Sequence, residues 1–169
     1  MLYRFAKYAG YETSKPSSQY IDRCADKDQV ANWSLEAMTW CAAAQVMTGK
    51  EIGGAYYLAP QENATRAQAA TVIWRMAGSP AAKQATTLPD AAQSWAAEAI
   101  SWCQQEGIVT GYIAGEYEGT FQPNNNVTRE ELAVMLYRYA KWAGYDTSEP
   151  SSQYVDRCPD KGQVANWSL

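Results

Sequence analysis

The sequence of 169 residues contains no histidine. That single absence excludes Ser-His-Asp and Cys-His catalysis, His-ligated zinc and an imidazole pH switch. Basic residues are outnumbered, with 14 Lys plus Arg against 18 Asp plus Glu, so no basic face for nucleic acid is expected. An anionic ligand would have to be recognised locally, by a few placed cations. Long apolar runs are missing too. No stretch approaches the roughly 20 apolar residues of a spanning helix, and Met1-Leu2-Tyr3-Arg4-Phe5 lacks the pattern of a signal peptide, so no membrane partner is expected. The 4 cysteines show no Cys-x-x-Cys spacing, and neither a metal site nor a cofactor is expected. Phenylalanine is scarce, 2 residues against 12 Tyr and 7 Trp. Rings with a polar handle suit half-wet surfaces, including interfaces and sugar sites. At 47% hydrophobic and 19% charged, the chain is nevertheless an ordinary foldable one.

What is present is repetition. Residues 1–35 and 135–169 align without gaps and share 28 of 35 positions. A fainter repeat lies inside: Trp33, Glu36, Ala37, Trp40, Cys41 and Gly49 match Trp95, Glu98, Ala99, Trp102, Cys103 and Gly111 at an offset of 62. Pro60, Thr65, Arg66 and Arg75 then match Pro123, Thr128, Arg129 and Arg138 at 63. The expected organisation is the last helix of one unit (1–10), two units (19–78 and 88–144) and the start of another (154–169). Both termini fall inside a unit, so a longer parent chain is expected.

Each unit reads as helix, loop, helix. Ala96, Ala99, Ile100 and Cys103 form an apolar stripe at helical spacing, matched by Ser34, Ala37, Met38 and Cys41. Gly49 and Gly111 sit where a helical C-terminal turn or another tight turn would want them. Thr65-Arg66-Ala67-Gln68 and Thr128-Arg129-Glu130-Glu131 fit the capping box that opens a helix. Core stripes follow at once, Ala69, Val72, Ile73 and Met76 in one unit, Leu132, Met135, Leu136 and Tyr139 in the other. Between the helices, Gly53-Gly54-Ala55-Tyr56-Tyr57 and Gly115-Glu116-Tyr117-Glu118-Gly119 predict loops or a very short hairpin.

Arg66 and Arg129 break a local rule. Each stands first in its helix, where the macrodipole is positive and a cation should lose about 0.3–1 kcal/mol. Two readings are open. The long stem can carry the charge into water; or the free backbone N–H groups and the guanidinium together form a site for a carboxylate or phosphate.

The ordered string Asp90, Trp95-Ala96-Ala97-Glu98-Ala99-Ile100, Gly107-Ile108-Val109-Thr110-Gly111-Tyr112, Gly119-Thr120-Phe121-Gln122-Pro123 and Val127-Thr128-Arg129-Glu130-Glu131 resembles the S-layer homology (SLH) repeat. The unit with Asp22, Trp33, Leu58-Ala59-Pro60 and Ala64-Thr65-Arg66-Ala67-Gln68 is similar but more degenerate. The resemblance implies an all-α fold of tandem helix-loop-helix repeats in a pseudo-three-fold bundle, with short loops or minimal strands. It implies an extracellular, non-catalytic module that anchors proteins to bacterial cell-wall polysaccharide, commonly through the carboxylate of a pyruvylated sugar. Arg66 and Arg129 inherit the role of anion contact, with Gly111 and Tyr112 in the adjoining loop. The family's position before the first helix falls to Asp22, Asp90 and Asp156, for which turn or cap chemistry is the competing explanation.

Trp33, Trp40, Trp95 and Trp102 pair at i, i+7, a core stripe first of all. Trp33 and Trp95 are the better candidates for a groove wall on which a sugar face stacks; Tyr112 and Tyr117 are weaker ones. Cys41 and Cys103 read as small buried hydrophobes, although a Cys24–Cys41 bridge is conceivable. Asp26-x-Asp28 hints faintly at calcium. Glycosidase chemistry would need a carboxylate pair, and nothing marks Glu116, Glu118 or Glu130 as one. The alternative from another class is a protein–protein assembly module binding other surface-layer subunits, its sugar grooves vestigial.

Overall fold

A computed structural model describes residues 1–14, 16–148 and 156–163. The chain forms two compact bodies, Met1–Asn63 and Ala64–Leu169. The division falls inside the sequence unit 19–78, because its second helix packs on helices of the following unit.

The first body contains α1 (Leu2–Tyr8), a single turn α2 (Gln19–Asp22), α3 (Asn32–Ala43) and a hairpin of β1 (Lys50–Ile52) and β2 (Ala55–Tyr57). The strands are antiparallel, with Ile52 opposite Ala55. Gly53 and Gly54 join them with φ of 60° and 82°, the pair of positive values a type I′ turn demands. Both α1 and α2 pack on α3. Trp40 is the centre of this packing: it is buried, its ring meets those of Tyr3 and Tyr11, and its indole N–H donates to the Glu12 carbonyl at 2.9 Å. Asp26 accepts from the backbone N–H groups of Leu58 and Ala59 at 2.8 and 2.7 Å. That bond pair holds Ala59 at a φ of 50°, a left-handed conformation alanine rarely adopts.

The second body contains α4 (Arg66–Met76), α5 (Ala97–Gln105) and α6 (Arg129–Trp142), with α4 packed on both others. The expected capping boxes are complete. Thr65 accepts from Gln68 N while the Gln68 side chain accepts from Thr65 N, and Thr128 and Glu131 do the same for α6. Ala96, Ala99, Ile100 and Cys103 are all buried, as are Ala69, Ile73, Met76, Met135, Leu136 and Tyr139 from the two second-helix stripes. Ala67 and Ala70 have no exposed surface, and the Cys103 thiol reaches the Ala70 carbonyl at 3.6 Å, so small residues let α4 and α5 approach closely.

Gly49 and Gly111 do not end helices. The left-handed residue after the helix is Gln45 (φ 57°) in one unit and Gly107 (φ 71°) in the other, and the turn closes there through Val46 N–H to Cys41 O and Ile108 N–H to Cys103 O. Gly49 and Gly111 lie four residues later, where another strand of backbone crosses. A Cβ on Gly49 would stand 2.6 Å from Tyr57 O, and one on Gly111 would stand 2.8 Å from Thr120 O. Close approach, not helix termination, is what demands glycine here.

The four tryptophans of the two i, i+7 pairs divide. Trp40 and Trp102 are 4% and 2% exposed, whereas Trp33 and Trp95 are 90% and 66% exposed. Trp33 sits in the first turn of α3; Trp95 lies in the turn before α5, not on the helix. Only the second member of each i, i+7 pair belongs to the core. Cys24, Cys41 and Cys103 are buried free thiols, so the conceivable Cys24–Cys41 bridge is not formed, and Cys158 is exposed.

Candidate functional site

The second body encloses a cavity of about 200 Å³. One wall is the segment Ile108–Ala114 that follows α5; the other is the face of α6 carrying Glu131, Val134, Met135 and Arg138; Arg66 closes one side. Arg66 is only 4% exposed. Its Nη1 meets Glu131 Oε1 at 2.5 Å, its Nε donates to Phe121 O at 2.7 Å, and its guanidinium lies 4.4 Å from the Tyr112 ring centre and 4.8 Å from that of Phe121. Nη2 makes no hydrogen bond among the described residues. Since no buried side-chain nitrogen or oxygen lacks a partner among the described residues, Nη2 is not fully buried, and Arg66 is one of the residues lining the cavity.

Glu131 is the hinge of this arrangement. Oε2 accepts from Thr128 N at 2.8 Å and completes the α6 cap, while Oε1 takes both Arg66 and the Tyr112 hydroxyl, the latter at 2.9 Å. Burial, and next its hydrogen bond to Glu131, hold the Tyr112 phenol above its ordinary pKa, so it remains a protonated donor at neutral pH. Asp90 acts one residue further out. It accepts from Phe121 N at 2.8 Å and Gln122 N at 2.7 Å, which fixes the carbonyl that Arg66 Nε uses and supports Gln122 at a φ of 56°.

Arg66 does not complete a free helix N-terminus. Its own N–H donates to Asn125 O at 2.9 Å, Ala67 N–H to Pro123 O at 3.0 Å, and Gln68 N–H to the Thr65 hydroxyl. The backbone donors expected to receive an anion are already used by the loop ahead of α6. The cation at the helix start is tolerated because Glu131 neutralises it across the cavity wall. Arg129 is the opposite case: it is exposed, and its guanidinium makes no hydrogen bond or ion pair among the described residues. Of the expected further unit at 154–169, only residues 156–163 are among the described residues.

Of the residues nominated from sequence, Arg66, Gly111 and Tyr112 therefore meet at one cavity, and Asp90 supports it through Phe121. Trp95 and Trp33 are exposed but do not line it. Asp22 is exposed and accepts from the Ser18 hydroxyl; the structural counterpart of Asp90 is Asp26, which makes the same pair of backbone bonds. With both carboxylate oxygens so used, Asp26 is not poised for calcium, and no cluster of three ligating side chains occurs among the described residues. Sequence reasoning missed Asp26 because two extra residues separate it from Trp33. It took Glu131 only as a cap, since nothing local announces a partner 65 residues away. Arg138 entered only as a mark of the repeat.

The S-layer homology domain profile matches residues 25–70 and 87–133, more than half of the chain. The chain belongs to the S-layer homology domain family, and it is a module of the bacterial cell surface, in the wall or surface layer. Among curated proteins it is 31% identical over 122 residues to an endoglucanase of Bacillus sp. (strain KSM-635), covering 72% of this chain and 12% of that enzyme. It is 36% identical over 131 residues to cell surface glycoprotein 1 of Acetivibrio thermocellus, covering 64% of this chain and 6% of the glycoprotein. It is 32% identical over 90 residues to the cellulosome-anchoring protein of the same organism, covering 50% and 19%. The chain thus spans less than a fifth of each of these relatives, and the endoglucanase likeness carries no argument for catalysis. Among the described residues no helix is long and apolar enough to cross a membrane.

Proposed function

We propose that this chain is a non-catalytic anchoring module that holds its parent protein on cell-wall polysaccharide by binding a pyruvylated sugar, its repeats arranged as a pseudo-three-fold helical bundle. The observation that carries the reading is the cavity beside Arg66. A pyruvate ketal presents a methyl group and a carboxylate side by side. The cavity offers both matching surfaces: aliphatic walls from Val109, Val134 and Met135, and guanidinium N–H donors from the two arginines that line it, Arg66 and Arg138. Arg129, exposed at the start of α6, is the corresponding contact of a second groove. Trp33 and Trp95 offer open ring faces for neighbouring sugars. The family membership supports the same reading, as do relatives named for anchoring and for the cell surface. Several weak grooves acting together would raise the hold on a polymeric wall by avidity.

Sedimentation of the purified module with isolated cell walls tests this. Wild type is expected to pellet with native walls and to stay in solution with walls from which pyruvate has been removed chemically. The Arg66→Lys/Arg129→Ala double variant, checked for a wild-type circular dichroism spectrum, is expected to stay in solution with both. Equal pelleting of wild type and variant would sink the arginine mechanism. Failure of wild type to pellet at all would leave assembly with other surface-layer subunits as the better account.

A further inference from the structure

The cavity holds two arginines, and only one of them is neutralised. Arg66 has a carboxylate at 2.5 Å; Arg138 lines the same cavity, is half-buried, and its guanidinium makes no hydrogen bond or ion pair with any described residue. With Glu131 the only acidic residue among the lining side chains, the cavity carries one uncompensated positive charge. Glu131, Val134, Met135 and Arg138 fall at i, i+3, i+4 and i+7 and share one face of α6. Arg138 therefore stands two turns, roughly 10 Å, along the axis from Glu131, with an aliphatic stretch between them. A second carboxylate placed on Arg66 would lie against Glu131 and be repelled, whereas at the Arg138 end nothing opposes it.

We infer that Arg138 binds the carboxylate of the ligand, while Arg66, Glu131 and Tyr112 form a neutral polar end that takes the sugar's hydroxyl and ring oxygens. This deepens the anchoring proposal and rests on it. It assigns the specificity for a charged over a neutral sugar to a residue in the middle of α6 and not to the helix start. Each end has its matching chemistry. Arg66 Nη2 donates to a hydroxyl, Glu131 can accept from one, and the guanidinium of Arg138 can grip a carboxylate with two parallel N–H bonds.

The test uses calorimetric titration of the module with a methyl glycoside bearing a pyruvate ketal, once as the free acid and once as its methyl ester. Ester and acid have nearly the same shape and differ in charge, so their affinity ratio reads the ionic contact alone. Wild type is expected to prefer the acid by about tenfold or more, the size of a charge-assisted bond. Arg138→Gln should bind acid and ester within about threefold of one another while its ester affinity and unfolding midpoint stay as in wild type, and Arg138→Lys should recover part of the preference. The assignment is overturned if Arg138→Gln keeps the acid preference, if it loses acid and ester binding equally, or if wild type does not distinguish the two. Wild type that pellets with walls but binds neither glycoside overturns it while leaving the anchoring intact. Wild type that does neither overturns both.

Discussion

Arg66 and Arg129 occupy the same place after the same capping box, yet one is buried against a carboxylate and the other is exposed to water. The residue type and the local helix do not decide this; the neighbour does. Arg66 meets Glu131 and Phe121, contributed by the following unit, whereas no described residue pairs with the Arg129 guanidinium. A repeat letter therefore specifies a position in an array, and its chemistry is completed by whatever is packed next to it.

The sharpest way to break the comparison is to remove the neutralising partner. Glu131→Ala leaves a buried guanidinium unpaired and should cost about 3–5 kcal/mol of stability, read by urea unfolding. Arg129→Ala, with no partner to lose, should stay within about 0.5 kcal/mol of wild type. If Arg129→Ala proved as damaging as Glu131→Ala, the two arginines would have to be alike after all.

A second contrast lies between two glycines of the same loop. Gly111→Ala drives a methyl group into Thr120 O and Leu88 at a φ of 71° and should destabilise by about 2–3 kcal/mol. Gly119→Ala, at a φ of 77° with open space around its Cβ, should cost only about 1 kcal/mol. Next in size is the loop clamp. Asp90→Ala strips two backbone N–H groups of their acceptor and should cost about 2 kcal/mol, whereas Asp22→Ala, on an exposed side chain, should be close to neutral. Equal thermal shifts for the two would remove the distinction between them.

The smallest effect is a matter of pH. Burial pushes the Cys41 thiol up to about 11 and Cys103 up to about 12, from an ordinary value near 9. A raised pKa in the folded state means that the fold favours the protonated form. The associated stability is whole below about pH 9 and is lost progressively as the pH rises through 9 toward 11 and 12. Titration with Ellman's reagent at pH 8 should modify the exposed Cys158 readily and spare Cys103 until the protein is unfolded; rapid labelling of Cys103 in the folded state would refute its burial.

Much of this was legible in the residues. The capping boxes and the helical stripes are local patterns, and Thr65, Thr128, Ile100 and Ile73 stand where spacing puts them. What could not be read is what depends on a second stretch of backbone. Gly111 is a glycine because Thr120 crosses it, and no local rule distinguishes that from a helix stop. Trp33 and Trp40 share one helix face by count, but only Trp40 has aromatic residues from α1 and the segment behind it to cover it. Glu131 announced itself as a cap and concealed a longer-range pairing. The candidate site was legible as a list of motifs, Arg66, Gly111 and Tyr112 among them, but not as a cavity, since its shape comes from α6 and the loop closing together.

The link from Arg66 forward to Glu131 has a direction. Arg66 comes from one unit and Glu131 from the next, so the two members of this junction play unlike parts and are not interchangeable. A unit with glutamate at the third helical position can follow another and cancel its charge. One with Gln68 at that position can hydrogen-bond to a preceding arginine but leaves it cationic. A single letter of the cap thus encodes whether a junction between units is electrically silent or charged, and the order of units along the chain becomes a pattern of charge.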